Sequence, residues 1–487
     1  MKKTKIVCTI GPASEDKAVL SSLINAGMNV MRLNFSHGDH AEHLNKVNVL
    51  KEINKELGTN VAFMLDTKGP EIRTTDFEDG QKHQFIKGNK VTLSTREILG
   101  NDTTLGITYK DLPNDISVGS HILIDDGLID VVVDNINGTE IECTLQNSGM
   151  LKGRRGINVP GAKLQLTAMT DKDKSDLKFA VENDFDFIAA SFIRKPKDVL
   201  EMKAYLDSCG EHNIKIISKI ENQEGLDNFD AILEVTDGVM VARGDLGVEI
   251  PEENVPAAQK MMIKKCIKAG KPVITATQML ESMQKNPRPT RAEVSDVANA
   301  IYDGTSAIML SGESAQGDYP LNCVQTMNKI AETTEKEIHY WNRFKRHNLD
   351  SIDLYDDANE TQVYNDKELK RQANFSVCCS AMFSNADAVV AVSEDGLTPS
   401  LLSSFRIGCP IYVITTNKSS FRLMALEHNV TPILIEDEKD YTLLLDKGLS
   451  ILKEKELIST GNTVVLSGRF SNNVSLKDQI TGKIVRI

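Results

Sequence analysis

Eight short apolar runs, most of them separated by helical patterns, occupy the first two thirds of this 487-residue chain. Their near-continuous hydrophobicity is typical of parallel strands that are buried on both faces. The runs span residues 5–10, 30–35, 61–65, 185–192, 214–220, 239–242, 273–276 and 307–310. Because alternating strands and helices pair in parallel through right-handed crossovers, eight such runs predict an α/β fold built on a closed (β/α)₈ barrel.

Helix boundary signals lie between the runs. Residues 18–27 are apolar at helical spacing and end in Gly27, the residue type favoured just after a helix. Thr290 and Glu293 have the spacing of a capping box, and the helix that they begin should end before Gly304.

The pattern changes between the third and fourth runs. Residues 72–167 contain short strand-like segments and turn signals such as Asp126-Gly127. They predict a small β-barrel domain inserted in a loop at the carboxyl end of a barrel strand, where it would overhang a site as a lid. The barrel itself would comprise residues 1–71 and 168–340.

A separate C-terminal α/β domain is predicted for residues 341–487. Its first part, residues 342–371, has few apolar residues and is interpreted as a linker or surface excursion. Strands are then expected at residues 388–392, 411–415, 433–435 and 464–466, with helices near residues 373–383, 399–405 and 443–452.

Composition limits the function classes. A hydrophobic fraction of 40% and a charged fraction of 26% fit a globular protein with an ample core. The formal net charge of −13 argues against nucleic acid or an anionic membrane as the main partner. No run reaches transmembrane length, the first residues do not resemble a secretory signal, and the eight cysteines lack C-x-x-C spacing, so we expect reduced thiols and a cytoplasmic protein.

Polar clusters follow five of the runs, at residues 32–38, 66–73, 218–222, 242–247 and 275–278. In a (β/α)₈ barrel the carboxyl ends of all strands meet at one face, so these clusters should assemble a single site. The chain is therefore an enzyme candidate.

Glu221 and Asp245 follow adjacent strands, and their carboxylates would converge on one divalent cation, Mg²⁺ or Mn²⁺, with positions left for water and substrate. Either acid taken alone is more often a helix cap or a solvated loop residue. Lys219 precedes Glu221 by two residues, so both side chains point to the same face of the strand. A lysine aimed into a barrel mouth needs an anion, either a phosphate or enolate, or an ordinary acid of the barrel.

Arg32 and Arg73 are suited to clamp a phosphate bidentately, although isolated arginines are usually surface ion-pair partners. The sequence G-x-x-x-x-G-K-[ST] is absent, so a nucleotide would not be held by a P-loop. His37 is placed to contact a nucleotide, but a loop histidine is more often structural.

Nine segments together resemble the pyruvate kinase family, in its order, from residue 1 to about 335. They are residues 9–14, 31–38, 65–73, 156–161, 217–222, 240–247, 276–282, 288–299 and 309–313. The resemblance implies the last step of glycolysis, in which the phosphoryl group of phosphoenolpyruvate passes to ADP to give pyruvate and ATP. It also implies a homotetramer.

The resemblance also implies roles for individual residues. Glu221 and Asp245 would bind Mg²⁺ or Mn²⁺, and Lys219 would stabilise charge on the phosphoryl group and the enolate. The remaining roles are K⁺ binding by Asn34, Ser36, Asp66 and Thr67, phosphoenolpyruvate contacts from Arg32, Gly244, Asp245 and Thr277, with Thr277 near the protonated face of the enolate, and nucleotide contacts from Asn34, His37, Arg73 and Arg155. In this family a glutamate at the place of Glu71 accompanies K⁺ dependence, whereas a lysine there removes it.

The loop at residues 393–398 resembles the family's effector phosphate loop, with Ser393, Gly396 and Thr398 as phosphate contacts. Leu397 stands where many relatives carry Lys or Arg, and residues 467–470 follow the usual final loop only loosely, which argues against fructose 1,6-bisphosphate. A sugar monophosphate or a nucleoside monophosphate stays open. The alternative is an ordinary strand-to-helix turn capped by Thr398.

Two other functions compete with this interpretation. An aldolase-like barrel that stabilises an enolate with Mg²⁺ would explain Glu221 and Asp245, but not Lys219, the K⁺ ligands and the lid together. A relative that has lost catalysis and serves as a scaffold is disfavoured because every expected catalytic position is intact.

Overall fold

The computed structural model describes residues 2–349, 366–436, 438, 440–468 and 481–487. The chain begins with three parallel strands that neighbour one another in a barrel wall. These are β1 (Lys5–Thr9), β2 (Val30–Asn34) and β3 (Ala62–Asp66), connected by helices α1 (Lys17–Asn25) and α2 (His40–Leu57). Gly27 adopts a φ of +116° just past the cap of α1, where a left-handed conformation ends the helix.

An inserted β domain follows β3. Its strands are β4 (Ile72–Arg73), β5 (His83–Phe85), β6 (Lys90–Ser94), β7 (Thr104–Gly106), β8 (His121–Ile124), β9 (Ile129–Asn137), β10 (Glu140–Leu145), β11 (Gly149–Leu151) and β12 (Gly156–Asn158), with the short helix α3 (Leu112–Asp115) between β7 and β8. Seven of them form a sheet in the order β4-β12-β8-β9-β10-β6-β7. A bridge between Thr74 and Ile107 joins its two ends, so the sheet curls around its own apolar core.

The barrel resumes after the insertion and closes. Its remaining strands are β13 (Phe187–Ala190), β14 (Lys215–Ile220), β15 (Gly238–Ala242), β16 (Val273–Ala276) and β17 (Ala307–Leu310). Its helices are α4 (Asp171–Glu182), α5 (Pro196–Cys209), α6 (Gln223–Asp227), α7 (Phe229–Val235), α8 (Arg243–Glu249), α9 (Val255–Ala269), α10 (Arg291–Asp303), α11 (Gly312–Ala315) and α12 (Pro320–Lys336). The predicted eight-stranded parallel barrel is confirmed, because β17 pairs with β1 and β13 with β3.

Burial explains why the barrel strands could be recognised in the sequence as apolar runs. Side chains of alternate residues fill the barrel interior, among them Val7, Met64 and Ile217, while their neighbours pack against the surrounding helices. Thr290 caps α10 in a capping box with Glu293, and Gly304 ends that helix, both as predicted.

The C-terminal part of the chain forms a mixed sheet covered by helices. It contains α13 (Tyr340–Phe344), a π-helical turn (Lys345–Leu349), α14 (Asp366–Phe383), β18 (Ala388–Val392), α15 (Leu397–Ser404), β19 (Ile411–Thr415), α16 (Lys418–Leu423), β20 (Val430–Leu434), α17 (Tyr441–Glu454), β21 (Thr463–Gly468) and β22 (Thr481–Arg486). The sheet order is β20-β19-β18-β21-β22, and only β22 runs antiparallel to its neighbour. In the part of the chain that the structure describes, no helix has the length and apolar character to cross a bilayer.

The stretch at residues 342–371 differs from the linker interpretation at both of its described ends. Residues 342–349 continue α13 and the π-helical turn, and residues 366–371 begin α14. Phe344 is fully buried and stacks with Phe375, at 6.1 Å between ring centroids. A few well-spaced aromatic residues therefore suffice to pack these helices, although the local composition is polar; residues 350–365 lie outside the described residues.

A buried ion pair joins the C-terminal domain to the barrel. Arg422 on α16 donates through Nε to Asp186 Oδ1 at 2.8 Å, and Asp186 Oδ2 also accepts the backbone N–H of Phe63. The Asp186 side chain is 1% exposed. Burial raises the pKa of Asp186 to about 6, although Arg422 and the Phe63 N–H act in the opposite direction.

We predict that Arg422→Met destabilises the protein in a pH-dependent way. The variant leaves a buried carboxylate without its cation, so the first unfolding transition should fall by about 5 °C or more at pH 7.5. Because the folded-state pKa of Asp186 is raised, the carboxyl binds a proton as the pH falls below about 6, and the deficit should shrink at pH 5. Scanning calorimetry at both pH values measures the effect.

Lys418→Met on the same helix is the matched control, since Lys418 forms an exposed ion pair with Glu436. It should change the transition temperature little at either pH. If Arg422→Met lowered the transition temperature equally at pH 5 and pH 7.5, the role of Asp186 would be contradicted.

Candidate active site

Four charged side chains converge in the barrel mouth. Asp66 accepts from Arg32 Nε at 2.7 Å and from Lys219 Nζ at 3.1 Å, and Lys219 Nζ lies 2.9 Å from Glu221 Oε1. Residues Arg32, Asp66, Lys219 and Glu221 are all at least nine-tenths buried. They come from β2, β3 and β14, so the barrel brings together residues nearly two hundred positions apart.

Ser191 is a member of this cluster that sequence reasoning missed. Its Oγ donates to the Thr67 carbonyl at 2.6 Å and accepts from Lys219 Nζ at 2.7 Å. Its backbone N–H donates to Thr67 Oγ1 at 3.1 Å. The residue follows β13 directly, and its place at the carboxyl end of a barrel strand was the signal that could have identified it.

The cluster shifts the pKa values of its members. Burial acts to lower the pKa of Lys219, but the carboxylates of Asp66 and Glu221 act more strongly together and raise it above its ordinary value. The pKa of Asp66 is lowered because Arg32 and Lys219 outweigh its burial. Burial raises the pKa of Glu221 to about 7, against the influence of Lys219. Lys219 is therefore held as a cation between two carboxylates in a buried site.

Glu221 directs one oxygen to a backbone N–H and the other to Lys219. Its Oε2 accepts the backbone N–H of Phe192 at 2.5 Å. Its Oε1 is buried and, although close to Lys219 Nζ, has no well-directed hydrogen bond. A carboxylate oxygen that faces a cation in this way is also suited to bind a metal ion.

The loops after β15 and β16 are bonded to each other. Gly244 N donates to Thr277 Oγ1 at 2.8 Å, and Asp245 lies in the first turn of α8. Thr277 and Gln278 have φ values of +68° and +53°, a left-handed conformation that is strained for a β-branched residue such as threonine. Backbone strain of this kind concentrates at functional sites, where the surrounding bonds over-determine the conformation.

Arg243 supplies those bonds, and sequence reasoning missed it also. Its guanidinium donates to the carbonyls of Ala276 at 3.2 Å and Thr277 at 2.6 Å. It also pairs with Asp296 of α10 at 2.8 Å. Arg243 therefore clamps the strained Thr277 loop against the start of α8.

Oxygen atoms gather where β2 and β3 end. Asn34 lies opposite Asp66 in the strand register, and Asn34 Oδ1 accepts the Ser36 N–H at 3.0 Å. Asp66 and Thr67 are buried, whereas Ser36 is half-buried and His37 is exposed. Because Asp66 is already paired with two cations, this group presents mostly uncharged oxygens.

The inserted domain covers the barrel mouth and leaves a cavity of about 320 Å³. Asp245, Arg73 and Arg155 lie on its wall, together with Asp126 from the β8–β9 hairpin. Glu71 accepts from Arg73 Nε at 2.6 Å, and Arg155 Nη1 lies 3.4 Å from Asp125. Asn158 donates to Glu249 of α8 at 2.8 Å and fixes the insertion to the barrel.

Comparison with known proteins matches both parts of this architecture. The model of the pyruvate kinase barrel domain matches residues 1–324, and that of the pyruvate kinase alpha/beta domain matches residues 374–477. The chain belongs to the pyruvate kinase family. It is an enzyme of that family, a phosphotransferase that converts phosphoenolpyruvate and ADP to pyruvate and ATP.

Individual relatives are similar over nearly the whole chain. The chain is 46% identical to a pyruvate kinase of Clostridium acetobutylicum, over 98% of both chains. It is 48% identical to a pyruvate kinase of Staphylococcus saprophyticus, over 96% of this chain and 78% of that protein. A crystal structure of a pyruvate kinase from Cryptosporidium parvum superposes with a TM-score of 0.92 at 37% identity and covers all of this chain and 96% of that one.

The loop that resembles the pyruvate kinase effector loop lies between β18 and α15. Gly396 has a φ of +74° and caps α15, so the alternative that Thr398 caps the helix is wrong. Asp395 accepts from Ser393 Oγ at 3.2 Å and from Leu397 N at 3.0 Å. These donors would also suit a phosphate, but here both donate to the Asp395 carboxylate. Residues 469 and 470 of the final loop lie outside the described residues.

Ser191 is predicted to be a positioning residue for Lys219. Ser191→Ala removes the bond to Nζ and should lower kcat about tenfold, while the KM for phosphoenolpyruvate changes less. Steady-state kinetics of pyruvate formation measure both constants. Ser208→Ala, an exposed serine of α5, is the control and should leave both unchanged. If Ser191→Ala lowered kcat/KM and the thermal stability but left kcat unchanged, Ser191 would have a purely structural role.

Proposed function

We propose that this pyruvate kinase carries out phosphoryl transfer at the mouth of its barrel, with Lys219 as the central catalytic cation. The observation that supports it most is the geometry of Lys219, whose ammonium is held by Asp66, Ser191 and Glu221. Charge that grows on the phosphoryl oxygens and the enolate in the transition state would meet a cation that needs no reorganisation.

Glu221 and Asp245 fit a divalent cation, Mg²⁺ or Mn²⁺. Glu221 offers a buried oxygen that lacks a well-directed hydrogen bond, and Asp245 lies at the start of the next strand's helix. Among the described residues, no three acidic, histidine or cysteine side chains are grouped as a metal cage. Two carboxylates with open positions suit a cation that also takes substrate oxygens, for which it would supply Lewis-acid charge stabilisation.

Asn34, Ser36, Asp66 and Thr67 fit a monovalent cation, K⁺. The set contains one carboxylate, and that carboxylate is already paired with Arg32 and Lys219. A site with so little negative charge suits K⁺ better than a divalent ion, which collects more carboxylates. The bound cation would add positive charge beside Arg32.

The substrate contacts follow from the loops around these ions. Arg32 keeps part of its guanidinium for a phosphate after donating to Asp66 and to Thr9 Oγ1 at 2.7 Å. Gly244 and Asp245 would face phosphoenolpyruvate, and Thr277 Oγ would lie near the enolate carbon that receives a proton. The loop bonded by Gly244 and Thr277 orients both groups towards one substrate.

Nucleotide contacts are proposed on the side of the inserted domain. Arg73 and Arg155 line the cavity beneath it, and the Arg155 Nε is buried without a partner in the described residues. Arginines in this position suit the phosphates of ADP and ATP. Asn34 and the exposed His37 would contact the nucleotide from the barrel side.

Assembly and regulation are proposed on the strength of the family. We expect a homotetramer, and a phosphorylated effector, such as a sugar or nucleoside monophosphate, at Ser393, Gly396 and Thr398. Binding there would require Asp395 to release the Ser393 hydroxyl and the Leu397 N–H that it now accepts.

Lys219→Met tests the central role. The variant should lower kcat by about a thousandfold or more, because the charge that Lys219 meets grows in the transition state, while phosphoenolpyruvate binding changes less. Turnover is measured as pyruvate formation, and binding by titration calorimetry, which also verifies that the variant is folded.

The matched control is Lys215→Met, an exposed lysine on the same strand. It should retain wild-type turnover. Near-normal turnover in Lys219→Met would rule out the catalytic role of that lysine.

Glu71→Lys tests the K⁺ site. Wild-type activity should appear with KCl and Mg²⁺ and fall at least about tenfold with NaCl at equal ionic strength, because the site is a cation site selective for K⁺. A lysine at residue 71 places an ammonium near the site and should relax the difference. Rates of pyruvate formation in the two salts measure it.

Glu71→Gln is the control, since it removes the acid without adding an ammonium, and it should stay K⁺-dependent. Equal wild-type rates in the two salts would remove the K⁺ site but keep the reaction. Full K⁺ dependence of Glu71→Lys would contradict the role of residue 71.

A further inference from the structure

A second, larger cavity lies at the seam between the barrel and the C-terminal domain. We call it the seam cavity; it has a volume of about 1150 Å³ and is bounded by α9, the end of α10, residues 337–348, the start of α14 and the end of α15. Among the residues that the structure describes, seven lysine or arginine side chains line it, against two carboxylates. Such an excess of cations stands out in a chain whose formal net charge is −13.

The spacing of these cations along their helices places them on the same helix face. Lys260, Lys264 and Lys268 are four residues apart on α9, so they share one face of that helix. Arg343 and Arg346 are three residues apart on the facing helical segment. The seam cavity therefore has a row of ammonium groups on the barrel side and guanidinium groups on the opposite wall.

Most of these cations have no anionic partner among the described residues. Lys260 pairs with Asp303, and Arg406 donates to the Gly304 carbonyl, the Ser403 carbonyl and Ser306 Oγ. The other five cationic side chains have no carboxylate within 4.0 Å in the described chain: Lys264, Lys268, Arg343, Arg346 and Arg371.

Two of the arginines are held in place although they lack an anion. Arg343 packs directly on Gly304, whose φ is +97°. A Cβ atom added at residue 304 would lie only 2.1 Å from Arg343 Nη2. Arg371 stacks over the Phe405 ring at 5.0 Å. Burial lowers the pKa of both guanidinium groups, and Arg346 lowers that of Arg343 further. A bound anion would relieve both the burial and the repulsion.

We propose that the seam cavity binds an anion that carries two or more phosphate groups. Guanidinium pairs recognise phosphate bidentately, and separated clusters on two walls favour more than one phosphate over a single small anion. Apolar side chains between the clusters, Ile267, Ile338 and Phe375, would contact the carbon part of such a ligand. The site is separate from the effector loop at residues 393–398.

Titration calorimetry of the full chain with inorganic pyrophosphate tests the proposal. The buffer contains K⁺ and a chelator, so that no divalent cation supports binding at Glu221 and Asp245. Saturable binding is expected, and inorganic phosphate should bind at least about tenfold more weakly because it engages one cluster only. No saturable binding of pyrophosphate, or equal affinity for phosphate, would overturn the proposal.

Variants locate the binding. Lys264→Ser with Arg346→Ser changes two exposed side chains and should weaken pyrophosphate binding about tenfold or more. Lys453→Ser with Lys455→Ser, at the end of α17, removes the same charge elsewhere and should change the affinity less than about twofold. Pyruvate formation without pyrophosphate should be the same in both variants. Equal affinities for pyrophosphate in the two variants would sink the idea.

Hydrogen–deuterium exchange gives a second, independent readout. Pyrophosphate should protect backbone amides in residues 260–268 and 340–346, and the Lys264→Ser, Arg346→Ser variant should lose that protection. Protection confined to residues 219–221 or 393–398 would place the anion in another site and overturn the proposal.

Discussion

The buried cluster of Arg32, Asp66, Lys219 and Glu221 is the constraint on which the rest of this structure depends. Taking four charged groups out of water is expensive, and their mutual attraction offsets the cost only when geometry is good and the remaining hydrogen bonds are made. Three barrel strands supply that geometry, and Ser191, Thr9 and the Phe192 N–H supply the additional bonds. Removing Asp66 would leave the buried Arg32 without its carboxylate, and removing Lys219 would leave the buried Glu221 without its cation.

The cluster also explains why the barrel must be closed and covered. In the proposed mechanism Lys219 acts on the reacting phosphate, and its charge is effective only where water does not screen it. The inserted domain limits the solvent above the mouth, and its contact between Asn158 and Glu249 reaches the helix that carries Asp245. The position of the lid and that of Asp245, a ligand of the proposed metal site, are thus linked through α8.

Much of the fold could be predicted from sequence because each barrel strand is buried on both faces and is therefore a continuous apolar run. The same logic predicted Lys219, Glu221 and Asp245, whose polar side chains interrupt or follow those runs. Ser191 also lies at the carboxyl end of a barrel strand, but a serine there is too common to be singled out, and the same holds for an arginine before a glycine, as at Arg243. Their importance lies in partners that are distant in sequence, such as Lys219 and Thr277. The helices at residues 342–349 were missed because a few aromatic contacts outweigh a polar composition.

Charge is distributed unevenly in this acidic protein, and its buried or cavity-lining cations occur in two kinds of environment. Some cations that lie in cavities are neutralised by neighbouring carboxylates, as Lys219 is, and others have none among the described residues, as Lys264 and Arg371 do. In the proposed mechanism the first arrangement keeps a cation in a fixed position for a charge that appears only during reaction. The second raises the electrostatic potential of the cavity at rest, which favours an anion that stays bound. Arg243 shows how close the two regions are, because its guanidinium reaches Gln259, which in turn reaches Asp303 on the wall of the seam cavity. An anion that repositions Asp303 would therefore act on the same arginine that fixes the Thr277 loop.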